Sequence, residues 1–200
     1  MAAIITEKFR QHNAEQFQES FSEAAATTYY LFIGKSSPFT GTTSGGDDNA
    51  PPTPSDDVTS EFYKWDSMLA AKLISSSDVS FVIPRRNWAN NTTYDMYEHN
   101  ISSGNTANSG ATNLWDSTFV VMNSSYAVYK VIENDGATAS TTEPTSTSNS
   151  IVETADGYRW KYMYSLTSAE TLNFMSTDFI HASTDSTVSG NKPSSVTRFG

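Results

Sequence analysis

Apolar residues recur along the chain with a helical spacing in two places. The first stripe predicts an amphipathic helix over residues 4–25, and the second predicts a helix of about five turns over residues 58–73. Ser55, Asp56 and Asp57 precede the second stripe and supply the acceptor oxygens and negative charge that favour a helix start. The apolar members of the two stripes are Ile5, Phe9, Phe17 and Phe21, and then Val58, Phe62, Trp65, Leu69 and Leu73.

Elsewhere the pattern is that of strands, with β-branched and aromatic residues between polar turn segments. Residues 118–122 and 127–132 flank a turn-like Asn-Ser-Ser and predict a hairpin. A short helix is expected at 168–175. The predicted strands are 27–34, 79–84, a short one at 94–97, 118–122, 127–132, 158–166 and a weak one at 179–181. We therefore predict an α+β, mainly β fold, with layered antiparallel sheets and two N-terminal helices.

Two long polar segments separate these elements. Residues 36–57 are rich in proline and glycine, and residues 133–150 are rich in Ser and Thr with no large apolar residue after position 133. Such segments bury little surface, so we expect both to be surface loops and the second to be dispensable for folding. The chain, residues 1–200, is expected to form a single domain.

The strand at 158–166 alternates strictly, with Tyr158, Trp160, Tyr162 and Tyr164 on one face. A run of four aromatic side chains needs a cover, which a second sheet, a helix or a partner subunit could supply. Tyr158, Trp160 and Tyr162 are therefore candidate partner-binding residues.

Composition excludes several kinds of chemistry. The formal net charge is −10 and there is no cysteine, which argues against a phosphate-binding nucleic-acid protein and excludes disulfides, thiolate zinc sites and cysteine nucleophiles. His12, His99 and His181 stand alone, and no apolar run is long enough for a membrane span. The polar N-terminus is not that of a signal peptide. We expect no cofactor, no metal, no catalytic residue, and neither a nucleic-acid nor a membrane partner.

A Pro-Arg-Arg-x-Trp sequence follows the strand at 79–84, and it places Arg85, Arg86 and Trp88 at the strand exit. Three interpretations stay open: a loop tie to a carboxylate, a contact with another protein, or catalysis without an accompanying nucleophile. Side chains alternate in an extended chain, so one arginine is expected to turn inward to a carboxylate and the other outward to a partner.

Taken together, the landmarks resemble the baseplate wedge subunit of contractile-tailed bacteriophages of the myovirus type, the product of gene eight in that group. The Val-Ile-Pro-Arg-Arg-x-Trp and Asp-Gly-Tyr-x-Trp-x-Tyr segments are its most specific parts. The matching segments are residues 4–10, 29–39, 50–56, 81–88, 127–130 and 156–164. Members of the family continue into a further β-rich part, so this chain is expected to correspond to the N-terminal part of a longer one.

The resemblance implies a non-enzymatic structural role in the tail baseplate of the virion, after assembly in the host cytoplasm. It implies a homodimer that contacts other baseplate wedge proteins and takes part in the rearrangement that triggers sheath contraction. Two alternatives stay open from the residues. One is a tail-associated carbohydrate or receptor-binding module that uses the Tyr/Trp face, and the other is a glycan-cleaving enzyme that uses two of the many carboxylates.

Overall fold

The computed structural model describes residues 7–25, 27–34 and 68–182. The chain divides into two compact units, Met1–Val79 and Ser80–Gly200. Contacts alone do not decide whether a unit folds independently, so the single-domain organisation stays a prediction. The predicted loop at 36–57 lies outside the described residues.

The first unit contains the helix α1, Glu7–Glu19, and an antiparallel ribbon of two strands, β1 at Tyr29–Ile33 and β2 at Ala70–Ile74. The ring of Phe17 in α1 and that of Phe21 just after it pack against Tyr29, with centroids 5.4 and 4.5 Å away. The predicted first helix and first strand are thus confirmed, although the helix ends at Glu19, six residues before the predicted end at residue 25. Residues 4–6 lie outside the described part.

The second predicted helix is wrong at its C-terminal end. Residues 58–67 lie outside the described residues, but Leu73 belongs to β2, where it pairs with Tyr30. The helical spacing of Leu69 and Leu73 was outweighed by backbone pairing with β1, because a distant strand contributes hydrogen bonds that no local pattern contains. A 3₁₀ turn, Ser76–Asp78, follows.

The second unit is built on a four-stranded antiparallel sheet in the order β4-β5-β7-β6. Its strands are β4 at Val120–Met122, β5 at Ala127–Asn134, β6 at Val152–Glu153 and β7 at Tyr158–Ser165. The predicted hairpin is therefore confirmed as β4–β5. A second, two-stranded sheet pairs β3, Val82–Pro84, with β8, Phe179–His181. Residues 94–97 do not form the short strand that was predicted.

The second helix of the described residues is α2, Ser168–Phe174, which follows β7. Thr167 caps it, because its side chain accepts a hydrogen bond from the Glu170 backbone N–H while the Glu170 carboxylate accepts one from the Thr167 backbone N–H. Of the two described helices, one thus lies near the N-terminus and the other between β7 and β8. The expectation of two N-terminal helices is not confirmed by the described residues, which leave out 58–67. The layered arrangement of sheets stays a prediction.

Apolar clusters lie on both faces of the four-stranded sheet. Val120 and Met122 point into one apolar cluster and Val121 into another, as alternation along β4 requires. The first cluster contains Ile83, Phe119, Val120, Met122, Val128, Leu166, Ile180 and Ala182. The second contains Tyr94, Val121, Ala127, Tyr129, Val131, Tyr158 and Trp160.

The segment after β5 is partly buried, and its dispensability for folding stays a prediction. Residues 133 and 134 are in β5, and residues 135–150 have no helix or strand, as predicted. Ser140 and Pro144, however, are buried. Ser140 donates its backbone N–H to Thr92 O at 2.9 Å and accepts from Asn91 N at 2.8 Å. A segment without large apolar residues is thus held by hydrogen bonds instead of apolar contacts.

Candidate protein interface around Arg85 and Arg86

The two arginines lie where one strand changes its partner. Val82, Ile83 and Pro84 pair with β8, and the Arg85 N–H extends that ladder to Asp178 O at 2.8 Å. Pro84 has no N–H to donate, so the donor at this end of the ladder is the Arg85 N–H. The next residues run parallel to β4 instead: Met122 donates to Arg86 O and accepts from Trp88 N, at 2.8 and 2.7 Å. The Arg85–Arg86 segment therefore joins the two sheets of the second unit.

Both guanidinium groups bind backbone carbonyl oxygens. Arg85 Nη1 donates to Ser176 O at 2.8 Å, and Arg86 Nη2 donates to Trp115 O and Asp116 O at 2.9 and 3.0 Å. Among the described residues neither forms an ion pair. The expected pair between one arginine and a carboxylate is not found among the described residues, where the loops beside the strand end present carbonyl oxygens to both side chains. The inward and outward roles of the two arginines stay a prediction.

Arg86 is the more enclosed of the two. Burial lowers the pKa of its guanidinium, and the negative charges of Asp116 and Asp95 partly offset that effect. Asp95 itself is buried. Burial alone would raise the pKa of Asp95, but hydrogen bonds from Ser109, Thr118 and Ser117 outweigh burial and lower it. Asp95 thus fixes the loop before β4, and that loop carries the carbonyls that hold Arg86.

Two exposed aromatic rings lie beside the arginines. Trp115 is 53% exposed and Phe179 is 40% exposed, and their ring centroids are 6.4 Å apart. Leu114 next to Trp115 is also exposed. Trp115 and Phe179 were not predicted as site residues, because they lie far apart in the sequence and share no periodic pattern. Only the fold brings residues 115 and 179 together.

Trp88 and Tyr162 are only partly exposed. Trp88 Nε1 donates to Ser140 Oγ at 3.1 Å, so the indole anchors the segment after β5. Tyr162 exchanges a hydrogen bond with Ser165 Oγ at 2.9 Å, and its ring lies 5.9 Å from that of Tyr129. Both side chains pack at the margin of the second apolar cluster.

Tyr158 and Trp160 lie inside the unit, with exposed fractions of 0 and 1%. The cover that the aromatic strand required is supplied within the chain, since Tyr94 packs edge-on against both rings at 6.5 and 6.0 Å. The Tyr158 hydroxyl also accepts from Tyr94 N and donates to Thr138 O, at 3.2 and 2.6 Å. These two side chains stabilise the fold, which corrects the expectation that they contact a partner.

One chain of polar side chains has the residue types of a hydrolase triad. Ser80 Oγ contacts His181 Nδ1, and His181 Nε2 lies 3.1 Å from Glu170 Oε1. The same Glu170 also caps α2, and Ser80 Oγ donates to Phe81 O at 2.9 Å. These contacts tie α2 to the β3–β8 sheet, so Ser80, His181 and Glu170 have a structural role.

The described part of the chain has few features that would support catalysis or transport. A cavity of about 130 Å³ beside Tyr129, Pro144 and Trp160 is smaller than the roughly 300–1,000 Å³ of typical small-molecule pockets. The described residues contain no group of three metal-ligating side chains. None of their helices has the length and apolar character needed to cross a bilayer.

Comparison with known proteins agrees with the resemblance drawn from the motifs. Residues 3–142 match the family Phage-Gp8, described as "Bacteriophage T4, Gp8". This match covers more than half of the chain, so the chain belongs to the Phage-Gp8 family. It is also similar to the "Baseplate wedge protein gp8" of Enterobacteria phage T4, with 24% identity over 209 residues. That alignment covers 89% of this chain and 60% of the relative.

Proposed function

We propose that this chain is a structural, non-enzymatic subunit of a bacteriophage tail baseplate wedge. Membership in the Phage-Gp8 family and the printed name of the T4 relative support this proposal. The chain spans 60% of the length of that relative. What the whole relative does is therefore attributed to this chain as a proposal. The proposal includes location in the tail baseplate of the virion after assembly in the host cytoplasm.

The observation that carries the proposal is the apolar surface of the β1–β2 ribbon. Tyr30 and Leu73 are directly opposite each other and share one face of the ribbon. Leu31 and Ile33 are on the other face, and they are 61 and 62% exposed. An isolated two-stranded ribbon is marginally stable in water, and a contiguous exposed apolar surface marks a protein contact. A subunit that is completed by its neighbours in an assembly has such a surface.

The proposal extends to a homodimer and to contacts with other baseplate wedge proteins. In that assembly the subunit acts in tail assembly and in the baseplate rearrangement that triggers sheath contraction. The carbohydrate-binding alternative relied on the aromatic strand as a stacking platform, and burial of Tyr158 and Trp160 removes the central part of that platform. The structural role is therefore the function that the geometry favours.

Co-expression with the other wedge proteins of the same phage tests the proposal. The wild-type chain is expected to co-sediment with them in analytical ultracentrifugation, and the Leu31→Lys variant is expected to lose that association. Ile151→Lys is the matched control, because Ile151 is exposed to a similar degree and lies outside the ribbon. Circular dichroism shows that each variant is folded. A soluble monomeric wild-type chain with no affinity for any wedge protein would refute the proposal.

A further inference from the structure

We propose that the cavity beside Tyr129 and Trp160 binds a primary ammonium group, supplied by a small free amine or by a lysine side chain of another protein. This site is separate from the structural role proposed above. The cavity has a volume of about 130 Å³, and an engineered apolar cavity of about 150 Å³ accommodates benzene. A chain of about four carbons with a terminal ammonium group therefore fits, whereas a nucleotide does not.

Two aromatic rings border the cavity. Tyr129 in β5 and Trp160 in β7 are each 1% exposed, and their rings stand at 80° to each other with centroids 6.4 Å apart. Of the other lining residues Pro144 is buried and Thr145 is exposed, so the cavity extends from the apolar cluster towards the surface. Such rings attract a cation, because the face of an aromatic ring carries partial negative charge.

The Tyr129 hydroxyl can accept a hydrogen bond from that cation. The hydroxyl is buried and has no hydrogen-bond partner among the described residues, whereas Trp160 Nε1 already donates to Thr154 Oγ1 at 3.1 Å. Burial raises the pKa of Tyr129, and electrostatic interactions with Tyr162 and Glu143 add to that effect, so the hydroxyl end of the ring lies near Glu143. A buried hydroxyl without a partner favours a ligand that donates a hydrogen bond to it.

Glu143 gives the cavity a negative charge. It lines the cavity and is partly exposed, and its Oε1 accepts from Ser124 N at 2.6 Å. The lining contains no Lys, Arg or His, and Glu143 forms no ion pair with any described residue. Asp156 adds negative charge from behind the wall, because it accepts from the backbone N–H of Thr142, which is also a lining residue.

The lysines that directly follow the two rings in the sequence do not supply the missing positive charge. Lys130 and Lys161 point to the opposite face of the sheet, because side chains alternate along a strand. Lys130 Nζ lies over the ring of Tyr97, which packs against the first apolar cluster, and Lys161 Nζ donates to Asn149 O. A cation from outside the chain can therefore pair with Glu143, and the same charge repels an anion.

Binding of n-butylammonium to the purified chain, measured by calorimetry, tests the inference. 1-Butanol and butyrate are the neutral and anionic controls of similar size. We expect the wild-type chain to bind n-butylammonium about tenfold more tightly than either control. Equal affinity for n-butylammonium and 1-butanol would overturn the inference.

Three variants connect that binding to the cavity. Glu143→Gln removes the charge but keeps an acceptor for Ser124 N, and Tyr129→Phe removes a hydroxyl that has no partner. We expect each to weaken the binding of n-butylammonium about threefold to tenfold. Glu98→Gln makes the same charge change at an exposed residue that accepts one hydrogen bond from Asn105, and it should bind like wild type. Circular dichroism shows that each variant is folded. Wild-type affinity in Glu143→Gln or in Tyr129→Phe would overturn the inference.

Carbodiimide coupling in purified tails distinguishes the two sources of the ammonium group. The reagent joins a carboxylate to an amine in contact with it, and mass spectrometry identifies the amide. An amide between Glu143 and a lysine of another protein, or between Glu143 and a small amine, supports the inference and identifies the source. An amide at Glu143 that forms no more often than at Glu98 would overturn it. If the chain is absent from tails, the proposed function fails, whereas the binding of n-butylammonium still decides whether the site exists.

Discussion

Substitution of Asp156 by asparagine is expected to loosen the segment that follows β5. The Asp156 carboxylate accepts hydrogen bonds from Ser140 Oγ and from the backbone N–H groups of Thr141 and Thr142, at 2.9, 2.7 and 2.9 Å. Its other oxygen accepts from Thr154 Oγ1 at 2.5 Å. Asparagine keeps the shape but turns one acceptor oxygen into a donor, so some of these donors lose their partner.

The size of the effect follows from the same contacts. Partial burial raises the pKa of Asp156, but hydrogen bonds from Thr154, Thr142, Thr141 and Ser140 outweigh it and lower the pKa from 3.8 to about 2. This difference corresponds to about 2 kcal/mol at most, and to about 1–2 kcal/mol after screening by water. The unpartnered backbone donors add to it, so we expect a loss of about 2–3 kcal/mol at pH 7.

The lowered pKa of Asp156 also sets the direction in which stability depends on pH. Because the folded-state pKa of Asp156 is below its ordinary value, the stabilisation is complete above about pH 4 and is lost as the pH falls towards about 2. The difference in unfolding free energy between wild type and Asp156→Asn is therefore expected to be largest at neutral pH and to shrink below about pH 4.

Thermal and urea unfolding followed by tryptophan fluorescence measures the difference, since Trp88 and Trp160 both pack in the second apolar cluster. The melting temperature is expected to fall by about 4–12 °C. Glu153→Gln is the control: it makes the same charge change at an exposed ion pair with Arg159 and should cost about 0–1 kcal/mol. Equal stability of Asp156→Asn and wild type at pH 7, or a difference that does not vary with pH, would refute the reasoning.

Three further predictions concern the same unit and use the same unfolding assay. Tyr158→Phe removes a hydroxyl with two hydrogen bonds and should lower the free energy of unfolding by about 1–3 kcal/mol. Tyr129→Phe should be neutral or slightly stabilising, because the buried Tyr129 hydroxyl has no partner among the described residues. Equal losses of stability in the two variants would contradict this prediction. Gly157→Ala should cost about 1–3 kcal/mol, since Gly157 has a φ of +80° and a Cβ there would lie 2.7 Å from Cγ of Asp135; wild-type stability would contradict it. Replacing residues 135–150 with a short Gly/Ser linker should lower the melting temperature clearly, and an unchanged value would restore the view that the segment is dispensable.

The local pattern of the sequence was sufficient for several elements. Residues 158–165 and the two segments on either side of the turn within 118–132 form strands, because apolar and β-branched residues with a period of two suit a pleated surface. The helix near the N-terminus and the short helix at 168–174 followed from spacing and end signals. The motifs also indicated the family, because Pro-Arg-Arg-x-Trp and Asp-Gly-Tyr-x-Trp-x-Tyr each combine uncommon residue types at fixed spacing.

Only the tertiary structure determined which side chains are buried by distant segments of the chain. Tyr158 and Trp160 are core residues because Tyr94, more than sixty residues earlier in the chain, packs over them. The Ser/Thr-rich segment is ordered because Asp156 and Trp88 reach it from elsewhere. Trp115 and Phe179 meet beside the strand that carries Arg86, because that strand changes its partner between the two sheets. Periodicity describes which face a residue is on, but contacts between distant segments determine whether that face is buried, and no local pattern contains them.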